Sequence, residues 1–433
     1  MIRKTAGHGD VGRRAVIASA TALGAGLALA GCGGAAGRPA KGAPMTGDPA
    51  RAASGPAEGR GAAGAALRLP APTGPHRIGA TTLYLVDRSR RDPWERIAVR
   101  EVMVTVFYPA RRVGGHPVAP QMTRGAAEAF AAVDARVHHL PAKGVDWAAT
   151  RTHAHADAPA LPGRRPVLLY GPGGGDPRTL GTGLAEELAS HGRVVVTVDH
   201  PGDAGEVDFP VARAGRERVR CTVFRADPRA DPRQFATMID TRVADLRFVL
   251  DQLAALAAGR NPDAAGRPLP AGLGRALDLR RVGCYGHSAG GTAAAEAMYE
   301  DRRIGATVNL EGYLDHPPKR PGEAGELYPV ARHGVDRPLL LVGSERFATR
   351  RERDRSWAAA LAHPHRRVER REIARAAHFV FTDHAAMAPQ LQAAGLMTAR
   401  DRNALVGPVA PATSVPLVRR AVHSFFARHL PAR

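Results

Sequence analysis

The segment Gly286-His287-Ser288-Ala289-Gly290-Gly291 sets a serine where acyl transfer needs one. A hydroxyl is a poor nucleophile unless it is held exposed and beside a base. Small residues two before and two after the serine let the chain turn sharply from strand to helix without clashes. A second element, Gly171-Pro-Gly-Gly-Gly-Asp-Pro-Arg-Thr179, follows the apolar run Pro166 to Tyr170. Its glycines allow backbone N–H groups to approach a developing oxyanion, and Gly174 and Ala289 are the predicted donors. A nucleotide site is excluded: no Gly-Lys-Ser/Thr is present for phosphate, and the third glycine of a dinucleotide fingerprint is missing.

The base must come from the chain's 18 histidines. His378, in Ala376-Ala-His-Phe-Val-Phe-Thr-Asp383, lies far downstream of the serine in a loop ahead of the closing helices, where a serine hydrolase of this order carries it. His287 is read as a packing or substrate-contact residue. Two carboxylates end successive strands, Glu311 in Val308-Asn-Leu-Glu-Gly and Glu345 in Leu341-Val-Gly-Ser-Glu. Either one is able to orient and charge-stabilise His378, and similarity to the commonest α/β-hydrolase order, with the acid after the later strand, favours Glu345. The group His138, His139, His153 and His155 lacks a recognised ligand spacing and is read as a solvated loop, so no metal is expected.

Positioning these residues calls for strands alternating with helices, the pattern of a mostly parallel sheet covered on both faces. Thr82 to Val86 and Met103 to Pro109 read as an opening strand pair. Pro166 to Tyr170, Val194 to Val198, Arg281 to Tyr285, Ala306 to Leu310 and Pro338 to Val342 read as further strands. Helices are predicted over Thr179 to His191, Asp240 to Ala257, Thr292 to Tyr299 and Val418 to Leu430. Two stretches, about 111–163 and 203–233, break the alternation and read as lid-like insertions over the carboxyl ends of the strands.

The amino end reads as an address. Arg3, Lys4, Arg13 and Arg14 precede a small-residue apolar run that closes with Leu29-Ala30-Gly31-Cys32, similar to a bacterial lipobox, and Arg13-Arg14 resembles a twin-arginine signal. Residues 1–31 are therefore expected to be an export signal, with Cys32 lipidated and the protein held at the extracytoplasmic membrane face or secreted. Residues 32–75, poor in large apolar groups, are expected to be a disordered tether, and 76–433 the catalytic domain. Cys221 and Cys284 are the other cysteines, and Cys284 fits a buried strand without a partner. The net charge of +20 comes from arginines scattered through the chain, with no basic run interleaved with aromatics. No nucleic-acid partner is expected.

These motifs together resemble the platelet-activating-factor acetylhydrolase family, the plasma type and especially its bacterial lipase-like members. The likeness rests on Arg100-Glu-Val-Met-Val-Thr-Val-Phe-Tyr-Pro109, Arg178-Thr-Leu, Leu188-Ala-Ser-His-Gly192, Asp199-His200, the serine turn, Gly343-Ser-Glu345 and His378-Phe-Val-Phe-Thr-Asp383. The resemblance implies an α/β-hydrolase fold and a Ser288, His378, Glu311 triad, with Glu311 where members usually carry Asp. Pro172-Gly173 stands where members usually have His-Gly. It also implies hydrolysis of short acyl esters of a phospholipid or similar lipid with no cofactor, and the expected lipid anchor would place the site beside the membrane. A general carboxylesterase or lipase, an acyltransferase with the same triad, and a non-catalytic ligand-binding lipoprotein are the alternatives.

Overall fold

Apolar runs bounded by glycine and proline become strands in the computed structural model, which describes residues 64–320, 323–363 and 367–431. The strands are β1 (Ile78–Asp87), β2 (Arg100–Pro109), β3 (Val118–Pro120), β4 (Arg151–Ala156), β5 (Arg165–Gly171), β6 (Val194–Asp199), β7 (Glu206–Asp208), β8 (Val219–Cys221), β9 (Leu277–His287), β10 (Ile304–Leu310), β11 (Leu339–Ser344) and β12 (Val368–Ile373). Ten of them form one sheet in the order β12-β11-β10-β9-β5-β6-β2-β1-β4-β3, and β7 and β8 pair separately. From β12 to β6 every neighbour is parallel, while β2 runs antiparallel to both β6 and β1. This is an α/β-hydrolase fold.

The helices are α1 (Arg124–Val137), α2 (Thr182–Ser190), α3 (Pro232–Ala257), α4 (Leu273–Ala276), α5 (Ala289–Glu300), α6 (Pro329–Arg332), α7 (Arg350–Ala362), α8 (His384–Ala393), α9 (Ala399–Leu405) and α10 (Pro411–His429). Helices cover both sheet faces, so the central strands are apolar on both sides. In β5, Val167 and Leu169 join a core with α3 and α5, whereas Leu168 and Tyr170 join a second core with α2 and α10. α3 begins earlier than the predicted Asp240: Asp231 caps it by accepting the N–H groups of Arg233 and Gln234, and Pro232 opens its first turn.

The structure corrects four expectations. The stretch 111–163 is more than a lid, because β4 pairs with β1 and β3 with β4, extending the sheet. Thr152, Ala154 and Ala156 carry too little apolar signal to have revealed that strand. His153 and His155 lie in β4, with His153 Nδ1 3.1 Å from Glu186 Oε2 and His155 Nδ1 2.7 Å from the His116 carbonyl, so the histidine group is not a solvated loop. β12, Val-Glu-Arg-Arg-Glu-Ile, was missed because an edge strand is blunted by its charges. Residues 64–75, placed in the tether by composition, are instead packed: Leu67 and Leu69 are buried, and Arg419 donates to the Pro70 and Ala71 carbonyls. The export signal, Cys32 and residues 32–63 lie outside the described residues. Cys284 is buried in β9 and Cys221 sits in β8, and the two are not joined.

Two motif residues, Arg100 and His200, serve the frame. Arg100, fully buried at the start of β2, donates from Nη2 to Asp245 of α3 at 2.7 Å and from Nη1 to Asp92 at 2.8 Å. His200 Nδ1 lies 2.9 Å from the same Asp245 carboxylate. Without the Arg100 guanidinium Asp92 keeps Arg220, and Asp245 keeps Arg90 and His200, so Arg100→Met removes charge-assisted hydrogen bonds from a buried network and is expected to lower the unfolding free energy by about 1.5–3 kcal/mol in urea titration.

Candidate active site

Ser288 stands between β9 and α5 with φ +52° and ψ −123°, a left-handed conformation that presents its side chain at the turn. Such backbone costs on the order of 1–3 kcal/mol and persists only where surroundings fix it. The flanking glycines do so by close approach: a Cβ on Gly286 would stand 2.2 Å from the Gly290 carbonyl oxygen. One on Gly290 would stand 2.1 Å from the Gly171 oxygen, so the glycine loop rests directly on the elbow. The Ser288 N–H donates to the Leu310 carbonyl at 2.8 Å, which ties the serine turn to the end of β10.

Glu311 follows β10 at once, with φ +67° and no exposure. Its carboxylate accepts the Ser344 N–H at 2.5 Å, the Ser344 hydroxyl, and Arg353 Nη1 at 2.5 Å. Its Oε2 lies 3.0 Å from His378 Nδ1. His378 is in a short turn after β12, its ring stacked on Phe347 at a centroid distance of 4.7 Å. His287 Nε2 donates to the His378 carbonyl at 3.0 Å, so the residue before the serine holds the loop that carries the imidazole. Glu345 is placed elsewhere: it is exposed, and its carboxylate accepts the Arg375 N–H at 2.6 Å.

Gly174 and Ala289 are neighbours, since a Cβ on Gly174 would lie 3.6 Å from that of Ala289. Ala289 opens α5, where an N–H has no acceptor within the helix. The glycine loop is fixed from α3: Arg242, fully buried, donates to the Pro172 carbonyl at 2.5 Å and the Gly173 carbonyl at 2.7 Å, and is paired with Asp203. Asp176 of the same loop lies 3.2 Å from His138 Nε2 and 3.6 Å from His287 Nδ1. Burial pushes its carboxyl up, but the hydrogen bond from His138 and the closeness of His287 outweigh that and hold it well below the usual carboxylate range. Burial, and then the neighbouring His378, lower the pKa of His287.

Sequence reasoning missed Arg353, Ser344, Arg242, Asp203 and Asp176 as supports. One signal was available: Gly343 in the Gly-Ser-Glu motif, where a Cβ would stand 2.4 Å from Arg353 Nη1. A cavity of about 280 Å³ lies apart from the three chemical residues, lined in part by Thr105, Thr197, Asp199 and Glu206.

The family model described as platelet-activating factor acetylhydrolase, isoform II, matches residues 62–430. The chain belongs to that family. Within the acetylhydrolase family, a protein from Arthroderma benhamiae named probable 1-alkyl-2-acetylglycerophosphocholine esterase is 27% identical over 380 residues, 83% of this chain and 87% of that one. The platelet-activating factor acetylhydrolase of Cavia porcellus is 23% identical over 229 residues, 46% of this chain and 45% of that one. Among solved structures, the ferulic acid esterase from Streptomyces cinnamoneus superposes with a TM-score of 0.63 at 32% identity, covering 85% of this chain and 94% of that one.

If Gly343 exists to admit the Arg353 guanidinium, Gly343→Ala displaces Arg353 and loosens Glu311. Turnover of p-nitrophenyl acetate by this variant is expected to fall roughly 10- to 100-fold with KM little changed. Steady-state kinetics beside a thermal melt checks this, and unchanged kcat in a folded variant would remove Arg353 from the positioning role.

Proposed function

We propose that this family member is a serine esterase that removes short acyl groups from a phospholipid or related lipid ester. Ser288 is the nucleophile, His378 the general base and Glu311 the carboxylate that orients and charge-stabilises the imidazole. The supporting observation is the 3.0 Å contact between the buried Glu311 carboxylate and His378 Nδ1, in a loop held to the strained Ser288 turn through His287. Nδ1–H donates to Glu311, so the Nε2 lone pair is left to receive a proton.

In the reaction, Ser288 Oγ attacks the ester carbonyl as His378 Nε2 takes its proton, and the carbonyl π electrons move to oxygen. The Gly174 and Ala289 N–H groups stabilise that oxyanion, each such donor being worth roughly 10²–10³ in rate. Collapse expels the alcohol, which takes the proton from the imidazolium. Water, activated by the same imidazole, then releases the carboxylic acid from the acyl-enzyme.

The lipid-ester substrate is supported by the family match and by the printed activity of the Arthroderma relative. The Streptomyces ferulic acid esterase, 32% identical over most of both chains, favours a second reading in which the acyl group is aromatic. A panel of 1-alkyl-2-acetyl phosphocholine lipid, methyl ferulate and p-nitrophenyl esters of increasing length separates the two. Preference for the acetyl lipid is expected, and turnover confined to the ferulate would transfer the assignment. Ser288→Ala should lose at least roughly 10⁴-fold in kcat on every substrate. Glu311→Gln should lose most of the activity, and Glu345→Gln little.

The same proposal extends to location. The Leu29-Ala30-Gly31-Cys32 sequence supports export and acylation of Cys32, which would seat the site beside lipid. Metabolic labelling with an alkyne fatty acid is expected to mark the native chain and not Cys32→Ser. Equal labelling of both would end that part.

A further inference from the structure

Beside the glycine loop, but outside the residues that react, Asp134 and His138 of the α1 region and His384 at the start of α8 bring donor atoms within 4.8 Å of one another. His384 has no exposure, and among the described residues neither of its ring nitrogens has a hydrogen-bond partner. Its surroundings are rings: Phe379 at 5.7 Å, Phe130 at 6.4 Å and His138 at 5.5 Å between centroids. A neutral imidazole always carries one N–H and one lone pair, and leaving them unmet in the interior is unfavourable because the water they lose is not replaced. Asp134 is buried with Oδ2 also unpartnered. Glu206, close enough to act on Asp134 electrostatically, has neither carboxylate oxygen satisfied. The region therefore holds buried carboxylate oxygens and imidazole nitrogens that no hydrogen bond among the described residues meets.

The spacing suits a small divalent ion. Zinc bonds of about 2.0–2.2 Å to nitrogen and oxygen place tetrahedral ligand atoms about 3.3–3.6 Å apart. His138 Nε2 is 3.6 Å from Asp134 Oδ1 and 3.2 Å from Asp176 Oδ1. We propose that Asp134, His138 and His384 bind a divalent transition-metal ion of the zinc class, with an oxygen of Asp176 in the glycine loop as the fourth ligand. Binding releases the His138 Nε2 proton now directed at Asp176, and that nitrogen's lone pair passes to the metal. His138, the least buried of the four, is the entry side. All four positions being filled by protein, the ion is structural: it joins α1, the loop that carries Gly174, and the segment that runs from His378 to His384. The sequence spacing hid this set because its members come from three distant segments.

The test uses the full chain, stripped with a chelator and then titrated with Zn²⁺ alone, metal content being measured by mass spectrometry after gel filtration. About one zinc per chain is expected, with a rise in melting temperature as zinc is added. Co²⁺ in its place should give the intense visible absorption of a tetrahedral site. Asp134→Asn and His384→Gln should weaken zinc binding by more than roughly 100-fold, while His139→Ala, at the exposed neighbouring histidine, should bind as the native chain does. Native protein that takes up no zinc at micromolar concentration overturns the proposal, as does equal binding by the Asp134 and His384 variants. Should both variants misfold, the Co²⁺ spectrum of the native chain decides, and an octahedral, weakly absorbing spectrum counts against the site. None of these readouts depends on ester turnover, so the result stands apart from the assignment of Ser288.

Discussion

A carboxylate with no access to water has to be surrounded by donors, and in this protein the buried Glu311 imposes that demand on everything near it. Moving such a charge out of water costs several kcal/mol unless partners meet both oxygens. Ser344 supplies a backbone and a hydroxyl donor, Arg353 a charge, and His378 a ring N–H. Each comes from a different element, so β11, α7 and the loop after β12 are all fixed relative to β10 by one side chain. Arg353 is itself fully buried, and its guanidinium lies 4.7 Å from the Trp357 ring centroid. Arg353 and the Ser344 N–H hold Oε1, while the Ser344 hydroxyl shares Oε2 with the imidazole, so both oxygens of the Glu311 carboxylate are met.

The oxyanion side obeys a second constraint, close backbone approach. Gly290 lets the glycine loop lie against the nucleophile turn, and Arg242 takes up the loop's Pro172 and Gly173 carbonyls from α3. With those carbonyls occupied, the loop's conformation is set by a buried ion pair with Asp203 and not by its flexible sequence. A Gly-Gly-Gly segment is among the least ordered a chain can contain in isolation. Its use at a site that needs sub-ångström placement is tolerable only because Arg242 and Asp176 hold it from two sides.

The elements that were legible in the sequence are those where local pattern and burial coincide. The runs at Pro166 to Tyr170 and Val194 to Val198 are apolar on both faces because both are covered, and the Gly-x-Ser-x-Gly turn is legible because sterics admit little else there. What stayed hidden is pairwise and long-range. Glu311 and Glu345 are equivalent as strand-ending carboxylates, and only the turn of the chain after β10 buries one while β11 leaves the other at the surface. Residues 64–75 read as tether since two leucines among Gly, Ala and Pro give no periodicity, yet Leu67 and Leu69 find a core made by α1 and α8. β12 was concealed by the charges that protect a sheet edge.

The two insertions explain why the reaction is easier to read than the substrate. The proposed triad and its proposed donors sit on strand ends and turns common to the whole fold, a placement that bears on acyl transfer and not on the acyl group. The walls come from elsewhere. Pro228, in the second insertion, stands near Gly174, and Arg229 lays its guanidinium 3.6 Å from the Tyr313 ring centroid, with Tyr313 in turn beside Phe347 over the imidazole. α1, from the first insertion, closes the other side through His138 and its edge contact with Phe379. An aromatic wall with one guanidinium is compatible with a phosphate-bearing lipid and with a phenolic acid alike, because each offers an anion or a ring to it. What would separate the two substrates is therefore not written in the motif around Ser288, whose small residues are dictated by the turn and not by the acyl group.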